Sequence, residues 1–223
     1  MNFDIITIFP SLFNSFKNEA LIARAVKKKI IKIKAHDLRR WTTDNHKTVD
    51  GRPYGGGAGM VMLVEPIMKA VGRLKSKEKR AKRKTRVILF SAKGKKFTQA
   101  TARRWSKLDQ LILICGRYEG IDERVARHIA DEEISIGDYV LFGGEVPAMT
   151  VMEAVTRLLP GAVGKEQSVQ NESFTENLLE HPHYTRPEAV KIDGKIRHVP
   201  RVLLSGNHAL IQKWRTEHSK KVK

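Results

Sequence analysis

Two stretches of the chain place glycines beside ionisable and aromatic side chains in a pattern suited to holding a small ligand. They are Cys115-Gly116-Arg117-Tyr118-Glu119-Gly120-Ile121-Asp122-Glu123-Arg124 and Ile136-Gly137-Asp138-Tyr139-Val140-Leu141-Phe142-Gly143-Gly144-Glu145. In the first, the apolar run Leu111 to Cys115 stops at Gly116 and polar groups begin at once. Glycine lets a backbone approach a ligand closely or turn through positive φ. Strand exits of this kind are where α/β enzymes place their sites. The second stretch repeats the layout, so the two can meet over one ligand. A third exit, Ser91-Ala92-Lys93-Gly94 after Val87 to Phe90, can complete one concave site at the carboxyl edge of a sheet.

Between Leu38 and Met60 the sequence is irregular and chemically dense, with Arg39, Arg40, Trp41, Asp44, His46, Lys47, Asp50, Arg52 and Tyr54 ahead of Gly55-Gly56-Gly57-Ala58-Gly59. Neither the dinucleotide pattern G-x-G-x-x-G nor the P-loop pattern G-x-x-x-x-G-K-[ST] fits these glycines, which removes both cofactor readings. Asp44 and His46 lack the further spaced His or Cys that a metal site needs. The single cysteine, Cys115, excludes an intrachain disulfide and reads as a small core residue.

These groups need elements to position them. Phe3 to Phe9 reads as a buried strand, Ser11 as the cap of a short helix, Glu19 to Lys29 as a basic helix and Ile30 to Ala35 as a half-exposed strand parallel to the first. Helices are expected over Val61 to Leu74, Phe97 to Leu108, Asp122 to Ala130 and from Pro147 to Leu159, with strands at Val87, Leu111 and Ile134. Arg73 to Arg86 holds nine Lys or Arg and one acid, Glu78, and reads as a solvated connector. Residues 161 to 172 are small and polar, the mark of a linker between a first domain, 1 to 160, and a smaller one from 173 to 223 with a helical cluster near Trp214. The tail from Lys220 to Lys223 is expected to fray.

With 42 Lys+Arg against 24 Asp+Glu the formal charge is +18, and a polyanion is the natural partner. The first residues carry Asp4 and Pro10 instead of a basic leader, so they read as a strand and a cytoplasmic protein is the simplest expectation.

Six separated motifs resemble the TrmD type of bacterial tRNA (guanine-N1)-methyltransferases, in the SPOUT superfamily. They are Ile6-Thr7-Ile8-Phe9-Pro10, Asp50 through Gly57, Cys115 through Arg124, Gly137 through Leu141 with Gly143-Gly144-Glu145, His183-Tyr184-Thr185-Arg186-Pro187, and Leu203-Leu204-Ser205-Gly206-Asn207-His208. The resemblance implies an α/β fold with a parallel sheet and a deep C-terminal trefoil knot, plus a small, mainly helical C-terminal domain that grips tRNA. It implies a homodimer with shared active sites. The implied reaction is methylation of N1 of the guanine immediately 3′ of the anticodon, from S-adenosylmethionine. The implied donor site comprises Leu89, Phe90, Ser91 and Gly94; Cys115, Gly116, Tyr118, Glu119 and Gly120; and Ser135, Ile136, Gly137, Tyr139, Leu141, Gly143 and Gly144. Glu172 stands where the family usually has its Asp general base, and Arg157 is the implied stabiliser of O6. Glu119 is implied at the donor's amine or at magnesium. His46, Lys47, Arg52, His183, Arg186 and Asn207 are implied RNA contacts. Phe142 replaces the common Ser and Ala58 the common Pro. An RNA-binding protein that keeps the fold with impaired catalysis is the alternative.

Overall fold

The strand Gln110–Ile114 is buried at every position, and one unit of the chain is arranged around it. The computed structural model describes residues 1–80, 84–164, 173–174 and 178–221, with 76–80 described by backbone alone. Two units divide the chain, 1–164 and 165–223. In the first unit, β1 (Asn2–Thr7), β2 (Lys32–Asp37), β5 (Thr85–Lys96), β6 (Gln110–Ile114) and β7 (Glu132–Ser135) form a sheet of order β2-β1-β6-β5-β7. Every pairing in it is parallel.

Both faces of the central strand are covered, which is why its sequence is a continuous apolar run without alternation. Leu111, Leu113 and Cys115 meet Phe3, Phe13, Trp105, Met152 and Val155 on one side. Ile112 and Ile114 meet Ile67, Val71, Leu74 and Val125 on the other. The first layer holds α1 (Phe13–Asn18), α2 (Ala20–Lys27), α4 (Gln99–Trp105) and α6 (Glu145–Thr156); the second holds α3 (Val64–Arg80) and α5 (Glu123–His128).

Several boundaries differ from the sequence expectation. Ser11 lies inside a 3-10 turn, Pro10–Leu12, and caps nothing there. Val61–Met62 is a short strand, β4, paired antiparallel with β3 (Asp50–Gly51), so the helix begins only at Val64. That helix runs to Arg80, well into the basic run expected as a connector. Lys, Glu and Arg are good helix formers, and a helix started by an apolar face propagates through them.

The largest departure is β5. It does not stop at Phe90 but continues to Lys96, with a register shift between Phe90 and Lys95, both of which oppose Ile134. The expected exit Ser91 to Gly94 is an excursion within one strand.

The second unit holds strands as well as helices. Ala189–Ile192 (β9) and Lys195–His198 (β10) form an antiparallel hairpin, and Lys220–Lys221 (β11) pairs with Leu178–Leu179 (β8), so those two tail residues are paired and not frayed. The helices are α7 (Arg201–Leu204) and α8 (His208–His218). The hairpin turn is Asp193-Gly194, with φ of 50° and 75°, the conformation that two-residue hairpin loops favour.

Candidate active site

The excursion within β5 and the carboxyl ends of β6 and β7 enclose a cleft of about 520 Å³. That is within the usual range for small-molecule sites. Its walls come from Leu89 to Lys93, from Gly116 to Ile121, and from Ile134 to Gly144. Of the implied donor-site residues, all but two border it. Cys115 lies behind the wall, fully buried, and burial pushes its thiol well above the ordinary range. Gly94 is folded against β7, where an added Cβ would lie 2.5 Å from the backbone nitrogen of Ile134.

The second and third walls are fused by close backbone approach. The Gly144 amide donates to the Gly116 carbonyl at 2.9 Å. An added Cβ at Gly144 would sit 2.6 Å from Cys115 Cα. The glycine therefore serves approach, since its own φ is an ordinary −84°. The second wall is also zipped to the β3–β4 hairpin: Glu119 N–H donates to Met60 O at 3.0 Å and Met62 N–H to Gly120 O at 2.9 Å. Gly59 lets that loop rest on Glu119, because a Cβ there would lie 2.7 Å from the Glu119 carboxylate. Tyr118 has φ 61°, and burial together with the neighbouring Asp50 raises the pKa of its phenol.

Polar side chains complete the lining. Ser91 Oγ donates to Glu133 at 2.7 Å. Lys93 bonds to Glu123 and lies 4.0 Å from Glu133. Tyr139, Val140 and Phe142 are exposed at the rim, Phe142 by 94%.

Arg157 borders a different cavity, about 450 Å³ with Phe16, Leu21, Met149 and Thr156 among its lining. It is the C-cap of α6, and its backbone N–H donates to Glu153 O at 3.0 Å. Glu172 lies outside the described residues. Lys47 and His46 sit in an exposed turn closed by Asp44, which accepts from Thr48 Oγ1 at 2.6 Å. Arg52 is exposed. In the second unit His183 lies 3.6 Å from Glu180, Arg186 is exposed, and Asn207 caps α8 by accepting from Leu210 N–H at 3.2 Å.

A family described as tRNA (Guanine-1)-methyltransferase TrmD matches residues 1–223. The chain belongs to that family. It is 50% identical over 220 residues to the tRNA (guanine-N(1)-)-methyltransferase of Heliobacterium modesticaldum, covering 98% of this chain and 80% of that protein. Its identity to the protein of the same name from Ruminiclostridium cellulolyticum is 48% over 219 residues, covering 98% and 91%. For Geobacter sp. strain M21 the figures are 46% over 221 residues, covering 99% and 86%. Membership in the TrmD family makes the chain a tRNA (guanine-N1)-methyltransferase, and such a reaction requires a methyl donor.

Sequence reasoning placed Lys93 and Glu123 in exit stretches but missed Glu133 and the contacts that join the three, which span 30 or more positions. It also missed the partners of Glu145. Thr7 Oγ1 donates to Glu145 Oε1 at 2.7 Å, and Arg117 Nε to Oε2 at 2.9 Å. Only the charged residue ending a glycine pair, Gly143-Gly144-Glu145, hinted at it.

Proposed function

We propose that the chain binds S-adenosylmethionine in the three-walled cleft and transfers its methyl to N1 of the guanine immediately 3′ of a tRNA anticodon. The observation that carries this reading is a glycine-walled cleft at parallel strand ends whose lining acids, Glu119, Glu123 and Glu133, outnumber its bases, Lys93 and Arg117, in a chain of +18 overall. Such a lining suits a cationic donor and opposes a phosphate ligand, while the basic exterior suits RNA.

The donor supplies a methyl already activated on a sulfonium. The chain's tasks are then alignment, removal of the guanine N1 proton and stabilisation of charge growing at O6. Glu172, as a carboxylate, accepts the proton. Arg157 donates hydrogen bonds toward O6. Glu119 offers its carboxylate to the donor's amine. Magnesium gets no step: among the described residues no group of three His, Cys, Asp or Glu is placed to hold a metal ion.

A second copy completes the site. α6 leaves the cleft near Pro147 and reaches Arg157 ten residues later, about 15 Å along a helix axis. That length separates Arg157 from the cleft of its own chain, so a homodimer in which each copy brings Arg157 and Glu172 to the other's donor satisfies both. Exposed Leu12, Leu21 and Val146 offer apolar surface for such an association. The proposal includes the knotted threading of the C-terminal half of domain 1–160, a linker at 161–172, a tRNA-gripping domain at 173–223 with His183, Arg186 and Asn207, and RNA contacts from His46, Lys47 and Arg52. No helix among the described residues is long and apolar enough to cross a membrane, and a tRNA substrate puts the work in the cytoplasm.

Purified protein, S-adenosylmethionine and a tRNA transcript with guanine at that position should yield N1-methylguanine there. Saturable donor binding without any methylated base would favour the catalytically impaired RNA-binding alternative.

A further inference from the structure

Glu145 is the first residue of α6 and only 1% exposed. A lone carboxylate buried to that degree is strongly unfavourable, so its partners are under selection by physics alone. It has two, from distant segments: Thr7 at the exit of β1 and Arg117 after β6. The circuit closes locally, because Thr7 Oγ1 also accepts from Phe9 N–H at 2.9 Å and the Arg117 guanidinium lies over the Phe9 ring, 4.8 Å from its centroid. The start of a helix further favours an acid there.

Arg117 does more than neutralise. It borders the donor cleft, and the third wall rests on its side chain: a Cβ at Gly143 would meet Arg117 Cδ at 2.5 Å and Gly116 O at 2.7 Å. Its own backbone N–H points to Met62 Sδ at 3.2 Å, tying the same residue to the β3–β4 hairpin. One side chain thus touches two walls of the cleft, and one buried carboxylate fixes where that side chain lies.

We propose that Glu145 and Arg117 are positioning residues for methyl transfer, their buried ion pair setting the spacing of the 116–120 and 143–144 walls that grip the donor. The idea rests on donor occupancy of this cleft. Neither residue need touch the reacting atoms; the pair acts through the backbone of Gly116, Gly143 and Gly144. A bound methyl donor must be aligned to well under 1 Å, and a misplacement of about that size costs up to about 100-fold in rate.

The test uses the full chain with Glu145→Gln, Glu145→Asp and Arg117→Lys. Glu145→Gln keeps an acceptor for Thr7 but removes the charge facing Arg117. Donor affinity by calorimetry should fall about tenfold or more, and the single-turnover rate at saturating donor should fall about 10- to 100-fold. tRNA affinity without donor should stay within about twofold, since the tRNA-facing charges are untouched. Glu145→Asp, which keeps the charge at shorter reach, should lie between Gln and wild type. If Glu145→Gln does not fold, Arg117→Lys carries the test, with the same split expected. Wild-type donor affinity and rate in Glu145→Gln or Arg117→Lys would overturn the proposal, as would an equal loss of tRNA and donor binding. Wild-type protein that binds no S-adenosylmethionine would instead overturn the donor assignment itself, and the positioning role with it.

Discussion

Replacing Gly144 by alanine tests whether the proposed donor cleft depends on two backbones lying almost in contact. The added methyl would sit 2.6 Å from Cys115 Cα, 3.0 Å from Gly116 N and 3.2 Å from Cys115 C. All three are backbone atoms, so no side chain can swing aside. Reaching ordinary contact at 3.4 Å requires the third wall to retreat by about 0.8 Å from the second. The Gly144–Gly116 hydrogen bond, now 2.9 Å, would then exceed bonding distance. Overpacking of this kind costs about 1–3 kcal/mol, and the lost bond about 1 kcal/mol more. The sum, about 2–4 kcal/mol, appears partly as lower stability and partly as weaker donor binding, since the ligand must close the wall again. Donor affinity measured by calorimetry should fall about 10- to 100-fold, at 1.4 kcal/mol per decade. Gly72→Ala is the control: nothing lies within 4 Å of its Cβ in α3, so it should raise stability by about 0.4–1 kcal/mol and leave the donor alone. Wild-type donor affinity with an unchanged unfolding midpoint in Gly144→Ala would refute the reasoning.

Three further outcomes are expected. Burial pushes the Asp4 carboxyl upward, but hydrogen bonds from His36 at 2.7 Å and Gln110 at 2.8 Å prevail and leave its pKa lowered. Its contribution to stability is therefore complete above the unfolded value of about 3.9 and is lost as pH falls through the lower folded value; urea titrations of wild type and Asp4→Ala should differ by about 2–4 kcal/mol at pH 7 and converge in acid. The thiol of Cys115, buried and pushed up in pKa, should react with an aromatic disulfide reagent only at the rate of unfolding; fast labelling of native protein would contradict its placement. Glu172→Gln should abolish turnover while donor binding is kept, because it removes the proposed base; equal activity would take Glu172 out of that proposed role.

Local pattern was sufficient for β1, for β6 and for the glycine exit after β6, because a fully buried strand is an apolar run and Gly116 marks where that run stops. It was insufficient for β5. Lys93-Gly94-Lys95-Lys96 looks like a loop by composition, and only pairing with β7 makes its last two residues a strand. The hairpin of the second unit was legible, since Asp193-Gly194 between Ala189–Ile192 and Lys195–His198 is a strong turn signal, yet the expectation of a mainly helical domain omitted it. Thr7 and Glu145 stand 138 positions apart, and neither residue type hints at the other. Arg157 shows the reverse limit. Its implied role came from likeness to a family, whereas the described first unit sets it beside another cavity.

The doubled pairing of β5 on Ile134 also governs which side of the cleft can move. Phe90 and Lys95 both stand opposite Ile134 in the pairing with β7, so the Ser91 to Gly94 excursion is held at both feet. A segment anchored so closely at each end has little freedom to swing as a unit. The second wall is tied to β4, and the third at Gly144. What remains is the rim of Tyr139, Val140 and Phe142, solvent-exposed and outside any strand or helix. On the proposed donor assignment, donor and spent product would pass that rim, where this chain carries a phenylalanine ring, while the three tied walls hold the shape of the cleft.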